Sequence, residues 1–259
     1  MQWKQTVILW LWKASIATQF LLCIRLAATG LRRSYPRLFT YVAALTAESC
    51  ILIGAARSPY LYEKVWVATR AAVLVVEVLA VLEIFGRWSD SYPGIGRFGQ
   101  RLLVLLFVLA TGLSLSMLPV KWSSSDWVFA TYLMSVANRS VQTGLAAFLL
   151  LMLLFFMKFG GPVAPNLKRH TWAMTAFLTA NVLSYFLITA RVYQLGNTLL
   201  QMISLAALVY WIFAFRRSGE EIPVTPNNPQ AWAAAEEMNR QLLDFAGSVK
   251  QSRRGAVRK

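Results

Sequence analysis

The stretch that most constrains this chain is Val65 to Gly86, VWVATRAAVLVVEVLAVLEIFG. It is long enough to cross a bilayer, which takes about 20 apolar residues, yet it contains Arg70, Glu77 and Glu83. A charge at the centre of a membrane helix costs roughly 2.5 kcal/mol or more, so it is kept where it faces a bundle interior and meets a partner there. Arg70 and Glu77 are one heptad apart and therefore share a helix face. The stretch predicts a helix bundle with a polar interior.

The composition indicates an integral membrane protein. Of the 259 residues, 57% are hydrophobic and 14% are charged, which is too apolar for a soluble domain of this length. The net charge of +15 would suggest nucleic-acid binding in a soluble protein, but the basic residues flank apolar segments, where membrane topology explains them. We expect a lipid bilayer as the partner and no nucleic acid. Cys23 and Cys50 lie inside apolar segments and indicate core residues, not a disulfide framework or metal site.

Seven apolar segments predict an all-α membrane protein, a seven-transmembrane helix bundle. They cover approximately residues 6–29, 38–56, 65–86, 102–118, 139–159, 171–190 and 197–215. The fifth segment is counted back about 20 residues from Lys158, the length that a bilayer crossing requires. This count places Arg139 at the opposite surface and leaves Asp126 to Asn138 as an extra helical extension or a lid.

The loops between these segments predict the orientation. One side carries twice as many basic residues as the other, and an excess of Lys and Arg in short loops marks the cytoplasmic side. The richer side has Arg25, Arg32, Arg33, Arg37, Arg87, Arg97, Arg101, Lys158, Lys168, Arg169, Arg216 and Arg217. The other side has Lys4, Arg57, Lys64, Lys121, Arg139 and Arg191. We therefore expect the N-terminus outside and the C-terminus in the cytoplasm.

Polar residues inside the segments form a candidate site, since a rise of about 1.5 Å per residue puts several of them at overlapping depths. The predicted group in the outer half is Lys13, Glu48, Arg70, Glu77, Asn181 and Gln201. Ionisable groups inside a membrane often mark ligand sites, ion pathways or proton relays. The alternative is a structural network in which the bases neutralise the acids and fix helix packing. Near the cytoplasmic face, Arg25 and Glu83 share one depth and are expected to form an interfacial ion pair.

Residues that could carry catalysis are sparse. The sole histidine, His170, begins the sixth segment beside Lys168 and Arg169, a cationic setting that disfavours metal binding. A Ser, His and Asp arrangement cannot be built around it, and the sequence has no cysteine cluster to hold a metal or a haem. We expect no enzyme activity, no cofactor and no metal.

The chain divides into residues 1–217, the bundle, residues 218–228, a proline-containing linker, and residues 229–259, an amphipathic helix with a basic tail. Asn228 followed by Pro229 is an N-cap and first-turn pattern. Spacings of three and four then predict an apolar helical stripe, which includes Trp232, Met238, Leu242, Phe245 and Val249. Such a stripe binds a membrane surface or docks on another protein.

Two short motifs carry a resemblance. Tyr35-Pro36 enters the second segment and Tyr92-Pro93-Gly94 lies in the third loop. With the layout of the apolar segments, they resemble a group of uncharacterised bacterial seven-helix membrane proteins, which implies a bacterial inner membrane and no particular activity. The topology also resembles receptors and rhodopsins, but the seventh segment, NTLLQMISLAALVYWIFAF, has no lysine for a retinal Schiff base.

Two hypotheses of function follow, with a third behind them. In the first, the chain is a non-enzymatic subunit or scaffold of a larger membrane assembly, and its partners are other membrane protein subunits. In the second, a seven-helix sensor binds a small polar ligand in an outward-facing charged pocket and acts on a cytoplasmic effector. Because a sensor would need a separate effector, the subunit is favoured. A small-solute transporter comes third, since no apolar segment has the internal proline that interrupts helices in many transporters.

Overall fold

The computed structural model of the chain describes residues 2–90, 99, 101–106, 108–109, 112, 126–159, 163–189, 193–221, 233 and 236–244. Seven α-helices have defined bounds within these ranges. They are α1 (Gln2–Ala28), α2 (Leu31–Ser34), α3 (Pro36–Ala55), α4 (Pro59–Ser89), α5 (Asp126–Phe159), α6 (Pro165–Thr189) and α7 (Tyr193–Ala214). A 3-10 helix, Arg217–Glu220, follows α7, and residues 101–106 and 236–244 are also helical.

Local sequence explains where several helices begin and end. Gly30 ends the turn after α1 with a φ of 76°, a left-handed conformation that glycine adopts without the Cβ penalty. Pro36 and Pro59 stand in the first turns of α3 and α4, where a missing N–H removes no helical hydrogen bond. Ser58 caps α4 by accepting a hydrogen bond from the backbone N–H of Leu61 at 3.4 Å.

The six long helices form a closed ring. Helix α1 packs against α3 and α7, α3 packs against α4, and α4 packs against α5. The ring closes through α5 against α6 and α6 against α7. Sequence neighbours are therefore mostly spatial neighbours, as short connections in a helix bundle require. The six helices therefore surround a common interior.

Five helices in the described part of the chain are long and apolar enough to cross a membrane. Their apolar spans are Leu9–Ala28, Pro36–Ala55, Pro59–Ser89, Ala130–Phe155 and Leu195–Ala214. The all-helical fold is thus confirmed for the described residues, and it is compatible with an integral membrane protein. The count of seven crossings stays a prediction, because most of the fourth predicted segment, 102–118, lies outside the described residues and α6 is not among the five.

The outside of the ring is apolar. Large side chains such as Ile24, Val75 and Phe213 are more than half exposed. A soluble protein would bury most of such residues, whereas a bilayer contacts them directly. The exposed apolar surface and the polar interior together have the distribution that a lipid-facing bundle needs.

Helix α5 begins well before Arg139, the first residue of the predicted fifth segment. Helix α5 is continuous from Asp126 to Phe159, and Arg139 is 8% exposed inside the apolar span Ala130–Phe155. The helical extension predicted for Asp126 to Asn138 is therefore part of α5. The position of Arg139 at the membrane surface stays a prediction.

Candidate ligand-binding site

A buried charge cluster forms where α3 and α4 meet. Arg70 Nη2 lies 3.8 Å from Glu77 Oε2, and Arg70 Nη1 lies 3.5 Å from Glu48 Oε2. The side chain of Glu77 is completely buried, and those of Arg70 and Glu48 are 11% and 8% exposed. One guanidinium thus stands between two carboxylates. The arrangement follows from the heptad spacing on α4, which presents Arg70 and Glu77 on one face.

Neutral side chains complete the hydrogen bonding of this cluster. Tyr41 Oη donates to Glu77 Oε1 at 3.2 Å, and Gln142 Nε2 lies 3.3 and 3.4 Å from the two carboxylate oxygens of Glu77. Arg70 Nε donates to Asn138 Oδ1 at 2.7 Å. Sequence reasoning missed these three neutral residues. Asn138 and Gln142 are four residues apart and share a helix face, a pattern from which both could have been predicted.

A cavity of about 520 Å³ opens beside the charge cluster. Residues from five helices line it, namely α1, α3, α4, α6 and α7. It runs along α7 from Asn197 to Trp211, roughly 21 Å at 1.5 Å per residue. Its volume lies within the range of about 300–1,000 Å³ that is usual for small-molecule sites. We call the end of the ring where α3 and α6 finish the cavity end, and the opposite end the closed end.

Several buried polar atoms around the cavity have no hydrogen-bond partner among the described residues. They are Gln19 Oε1 on α1, Asn181 Oδ1 on α6 and Trp211 Nε1 on α7, and all three residues line the cavity. Their exposed fractions are 6%, 3% and 1%. Buried polar groups in native proteins are nearly always hydrogen-bonded to protein, water or ligand. The cavity therefore holds two acceptors and a donor that a bound molecule would satisfy.

The structure brings most of the predicted site residues together. Glu48, Arg70, Asn181 and Gln201 line the cavity, and Glu77 lies behind Arg70 without reaching the cavity wall.

Lys13 is a correction to the predicted group. Its side chain is exposed, and its ammonium lies 5.2 Å from the ring centroid of Trp10. Depth alone suggested that it joins the acids, but it faces outward on α1, whereas Ser15 and Gln19 of the same helix face the cavity.

The predicted ion pair of Arg25 and Glu83 is a second correction. Arg25 Nη2 donates to the carbonyl of Phe215 at 3.1 Å, just beyond the end of α7. Glu83 accepts hydrogen bonds from the backbone N–H groups of Arg37 and Leu38, at 3.4 and 3.2 Å. Each charge thus meets unpaired backbone groups at a helix terminus, a cation at a C-terminus and an anion at an N-terminus. Arg25 and Glu83 each hydrogen-bond to a helix terminus and not to each other, because these backbone groups lie within hydrogen-bond distance of the two side chains.

An aromatic cluster fills the closed end of the ring. His170 is completely buried, and its ring centroid lies 5.7 Å from Tyr35, 5.8 Å from Trp211 and 5.7 Å from Phe215. Neither ring nitrogen has a hydrogen-bond partner among the described residues. Burial, aided by the positive charge of Arg87, lowers the pKa of His170 to about 3. The histidine is therefore a neutral packing residue at physiological pH.

The segment after α7 is held against the closed end. Asn166 Nδ2 donates to the carbonyl of Arg216 and to Glu220 Oε1, both at 2.6 Å. Glu220 Oε2 also lies 3.6 Å from Arg87 Nη1, and the Arg87 guanidinium lies 4.3 Å from the centroid of the Tyr35 ring. The first residues of the predicted linker 218–228 are therefore packed on the bundle, while residues 222–228 lie outside the described part of the chain.

Part of the predicted C-terminal helix is described. Residues 236–244 are helical, and Arg240 Nη2 lies 2.6 Å from Glu237 Oε2 on the exposed side. Met238 and Leu242 of the predicted stripe are partly buried. Trp232, Phe245 and Val249, which complete the stripe, lie outside the described residues.

Within the described ranges, no group of three or more His, Cys, Asp and Glu side chains could hold a metal ion. The two cysteines are free, Cys23 partly buried and Cys50 exposed. Comparison of the chain with protein-family models, curated proteins and solved structures gives no match. What can be inferred about function therefore comes from the cavity, the charge cluster and their chemistry.

Proposed function

We propose that this chain is a seven-helix sensor or receptor-like protein of the bacterial inner membrane that binds a small polar ligand in an outward-facing cavity. The observation that carries the proposal is the 520 Å³ cavity whose lining includes Gln19, Asn181 and Trp211, each with a buried polar atom that has no partner in the described part of the chain. A network that served packing alone would not leave a cavity of this size beside such atoms.

The direction in which the cavity opens rests on the loop charges. The cavity end is the end at which α1 begins and α3 finishes, and the predicted topology puts this end outside because the opposite loops are richer in Lys and Arg. In this proposal α6 and the segment 102–118 also cross the bilayer, making seven crossings. Helix α6 is polar for a membrane helix, and its place in the ring supports the assignment, since neighbours cover it on both sides.

The closed end supports a role in passing the signal to the cytoplasm. Trp211 lines the cavity and also contacts His170, whose ring packs on Tyr35 and Phe215 at the closed end. A ligand that moved Trp211 would therefore act directly on the cluster from which residues 216–221 leave the bundle. The protein performs no reaction in this proposal, and a separate cytoplasmic effector responds to it.

The hypothesis of a membrane-assembly subunit stays a prediction. The exposed apolar side chains of the ring are accounted for by lipid, and most of the predicted docking stripe lies outside the described residues. Purification in mild detergent distinguishes the two, since a subunit brings partner proteins in a fixed ratio and a sensor of this kind does not need them.

Ligand binding is tested in lipid nanodiscs by thermal unfolding in the presence of amino acids, sugars, amines and carboxylates. Ser204 lines the cavity on α7, and Ser204→Phe places a ring in it. Ala206 on the same helix is exposed and does not line the cavity, so Ala206→Phe is the matched control. We expect at least one solute to raise the Tm saturably in the wild type and in Ala206→Phe but not in Ser204→Phe. Equal responses of the two variants to every solute would contradict the proposal.

A further inference from the structure

The charges at the cavity wall do not balance. Among the described residues, Glu48 and Glu77 both pair with the single guanidinium of Arg70. Within this cluster two ionised carboxylates share one guanidinium, which leaves one negative charge at a buried place, where an uncompensated charge is costly. The other buried guanidinium, that of Arg139, is not among the ion-pair partners of these two carboxylates. The imbalance calls either for a proton on one carboxylate or for a second cation in the cavity.

The two carboxylates differ in how well they are satisfied. Glu77 accepts hydrogen bonds from Tyr41 and Gln142 in addition to its ion pair, and it does not line the cavity. Glu48 lines the cavity, and its nearest donors, Arg70 Nη1 and Thr69 Oγ1, lie at 3.5 and 3.4 Å, the long limit of hydrogen bonding. The carboxylate with spare acceptor capacity is therefore the one that faces the cavity.

Aromatic side chains surround the same space. Tyr62 and Trp66 precede Arg70 by two turns and one turn on α4, and all three line the cavity. Further aromatic residues of the lining are Trp12, Tyr41, Phe177, Tyr185 and Trp211. The faces of aromatic rings attract cations, and Trp does so most strongly. A carboxylate beside several aromatic rings is a recognised environment for organic ammonium groups.

The unpartnered acceptors point to the same chemistry. Gln19 Oε1 and Asn181 Oδ1 need hydrogen-bond donors, which an ammonium group has. Trp211 Nε1 is a donor, so its acceptor would have to be another group of the ligand. Arg70 would bind an anionic ligand if its guanidinium were free of carboxylates. Because this guanidinium pairs with Glu48 and Glu77, an anion that bound it would leave both carboxylates buried without compensation of their charge.

We infer, on the basis of the proposed function, that the ligand of this cavity is a small organic cation with N–H donors, whose charge is compensated by Glu48. The aromatic lining surrounds its apolar part. Arg70 holds the two carboxylates in position and is not the group that recognises the ligand.

The inference is tested with three probes of equal length, n-butylammonium, butyrate and 1-butanol, by thermal unfolding of the full chain in nanodiscs. We expect n-butylammonium to raise the Tm saturably and the other two to have little effect. Glu48→Gln keeps the shape of the side chain and removes its charge, so binding should weaken about tenfold or more, as expected for loss of a charge-assisted contact. Glu63→Gln removes an exposed carboxylate of α4 and should leave binding unchanged.

A second variant keeps the test decisive if Glu48→Gln does not fold. Trp66→Leu retains an apolar lining and removes a ring that attracts cations. It should therefore weaken the binding of n-butylammonium and leave the response of the Tm to 1-butanol unchanged. The inference is overturned if butyrate stabilises the protein and n-butylammonium does not, or if the neutral alcohol binds as well as the cation.

The failure of this inference can be told apart from the failure of the proposed function. If the cation has no effect but a neutral or anionic solute stabilises the wild type and not Ser204→Phe, the cavity is a ligand site and only the charge class is wrong. If no solute of any charge distinguishes Ser204→Phe from Ala206→Phe, both proposals are wrong.

Discussion

Polar groups lie in the interior at both ends of the helix ring, but they are satisfied differently. At the closed end, Arg25 and Arg169 donate to the carbonyls of Phe215 and Ala214, and Asn166 donates to the carbonyl of Arg216. These side chains satisfy the carbonyls that the end of α7 leaves unpaired. At the cavity end, polar side chains surround a volume that no side chain fills.

The difference separates a structural use of buried polarity from the binding use that we propose for the cavity. Where a donor and an acceptor within the chain meet each other, the arrangement fixes helix position and needs nothing more. Where atoms without a partner among the described residues lie beside an open volume, a molecule from outside the protein can satisfy them. The charge cluster contains one carboxylate of each kind. The hydrogen bonds of Glu77 are satisfied inside the bundle, whereas Glu48 faces the cavity.

The largest effect is expected from removing the cation on which both acids depend. Arg70→Met leaves Glu48 and Glu77 buried without a positively charged partner, and breaking a buried ion pair in this way costs roughly 3–5 kcal/mol of stability. Equilibrium unfolding by denaturing detergent measures the loss. Arg57→Met, at an exposed position beyond α3, is the control and should change stability little.

Restoring charge balance sharpens this prediction. Adding Glu48→Gln and Glu77→Gln to Arg70→Met removes the buried negative charge, so much of the lost stability should return. If the triple variant is no more stable than Arg70→Met, the buried charges do not account for the loss of stability. The charge cluster would then not differ from the closed end in this respect.

A smaller effect is expected at the closed end. Asn166→Ala removes the hydrogen bonds to the Arg216 carbonyl and to Glu220, which should cost about 1–3 kcal/mol. Residues 216–221 should then become accessible, and hydrogen exchange of their backbone amides measures the release. Asn197→Ala at the cavity end is the matched control, since Asn197 is exposed. Unchanged exchange at 216–221 would show that Asn166 does not hold the segment.

The smallest effect is a dependence on pH that arises from His170. Its folded-state pKa of about 3 lies below the ordinary value of 6.5, so the unfolded chain binds a proton more readily below pH 6.5. Stability from this residue is complete above pH 6.5 and falls below it by about 1.4 kcal/mol per pH unit, so the loss on reaching pH 5.5 is about 1.4 kcal/mol. We expect His170→Phe to reduce the loss of stability between pH 7.5 and 5.5.

The same substitution tests the packing at neutral pH. The ring nitrogens of His170 have no hydrogen-bond partner among the described residues, so a phenyl ring among Tyr35, Trp211 and Phe215 loses no hydrogen bond. Stability at pH 7.5 should therefore be unchanged or increased. A large loss at this pH would mean that the imidazole has a polar role at the closed end.

Sequence reasoning located the charge cluster better than it located the partners of each charge. Depth along α3 and α4 put Glu48 near Arg70, and the heptad put Arg70 beside Glu77. Depth failed for Lys13 because it does not tell which way a residue faces, and Lys13 faces outward. It also failed for Arg25 and Glu83, because helix termini offered backbone partners that a comparison of side chains leaves out.

The sequence by itself determined that this chain forms long apolar helices with charges inside them, because helix length and apolar content are local properties of consecutive residues. It also determined where several helices begin, through Pro36, Ser58 and Pro59. Only the tertiary structure decided that Tyr41, Asn138 and Gln142 complete the cluster and that a cavity remains beside Glu48. The physical reason is that the rotation of each helix about its own axis is set by packing against its neighbours in the ring, and that rotation selects which polar groups meet.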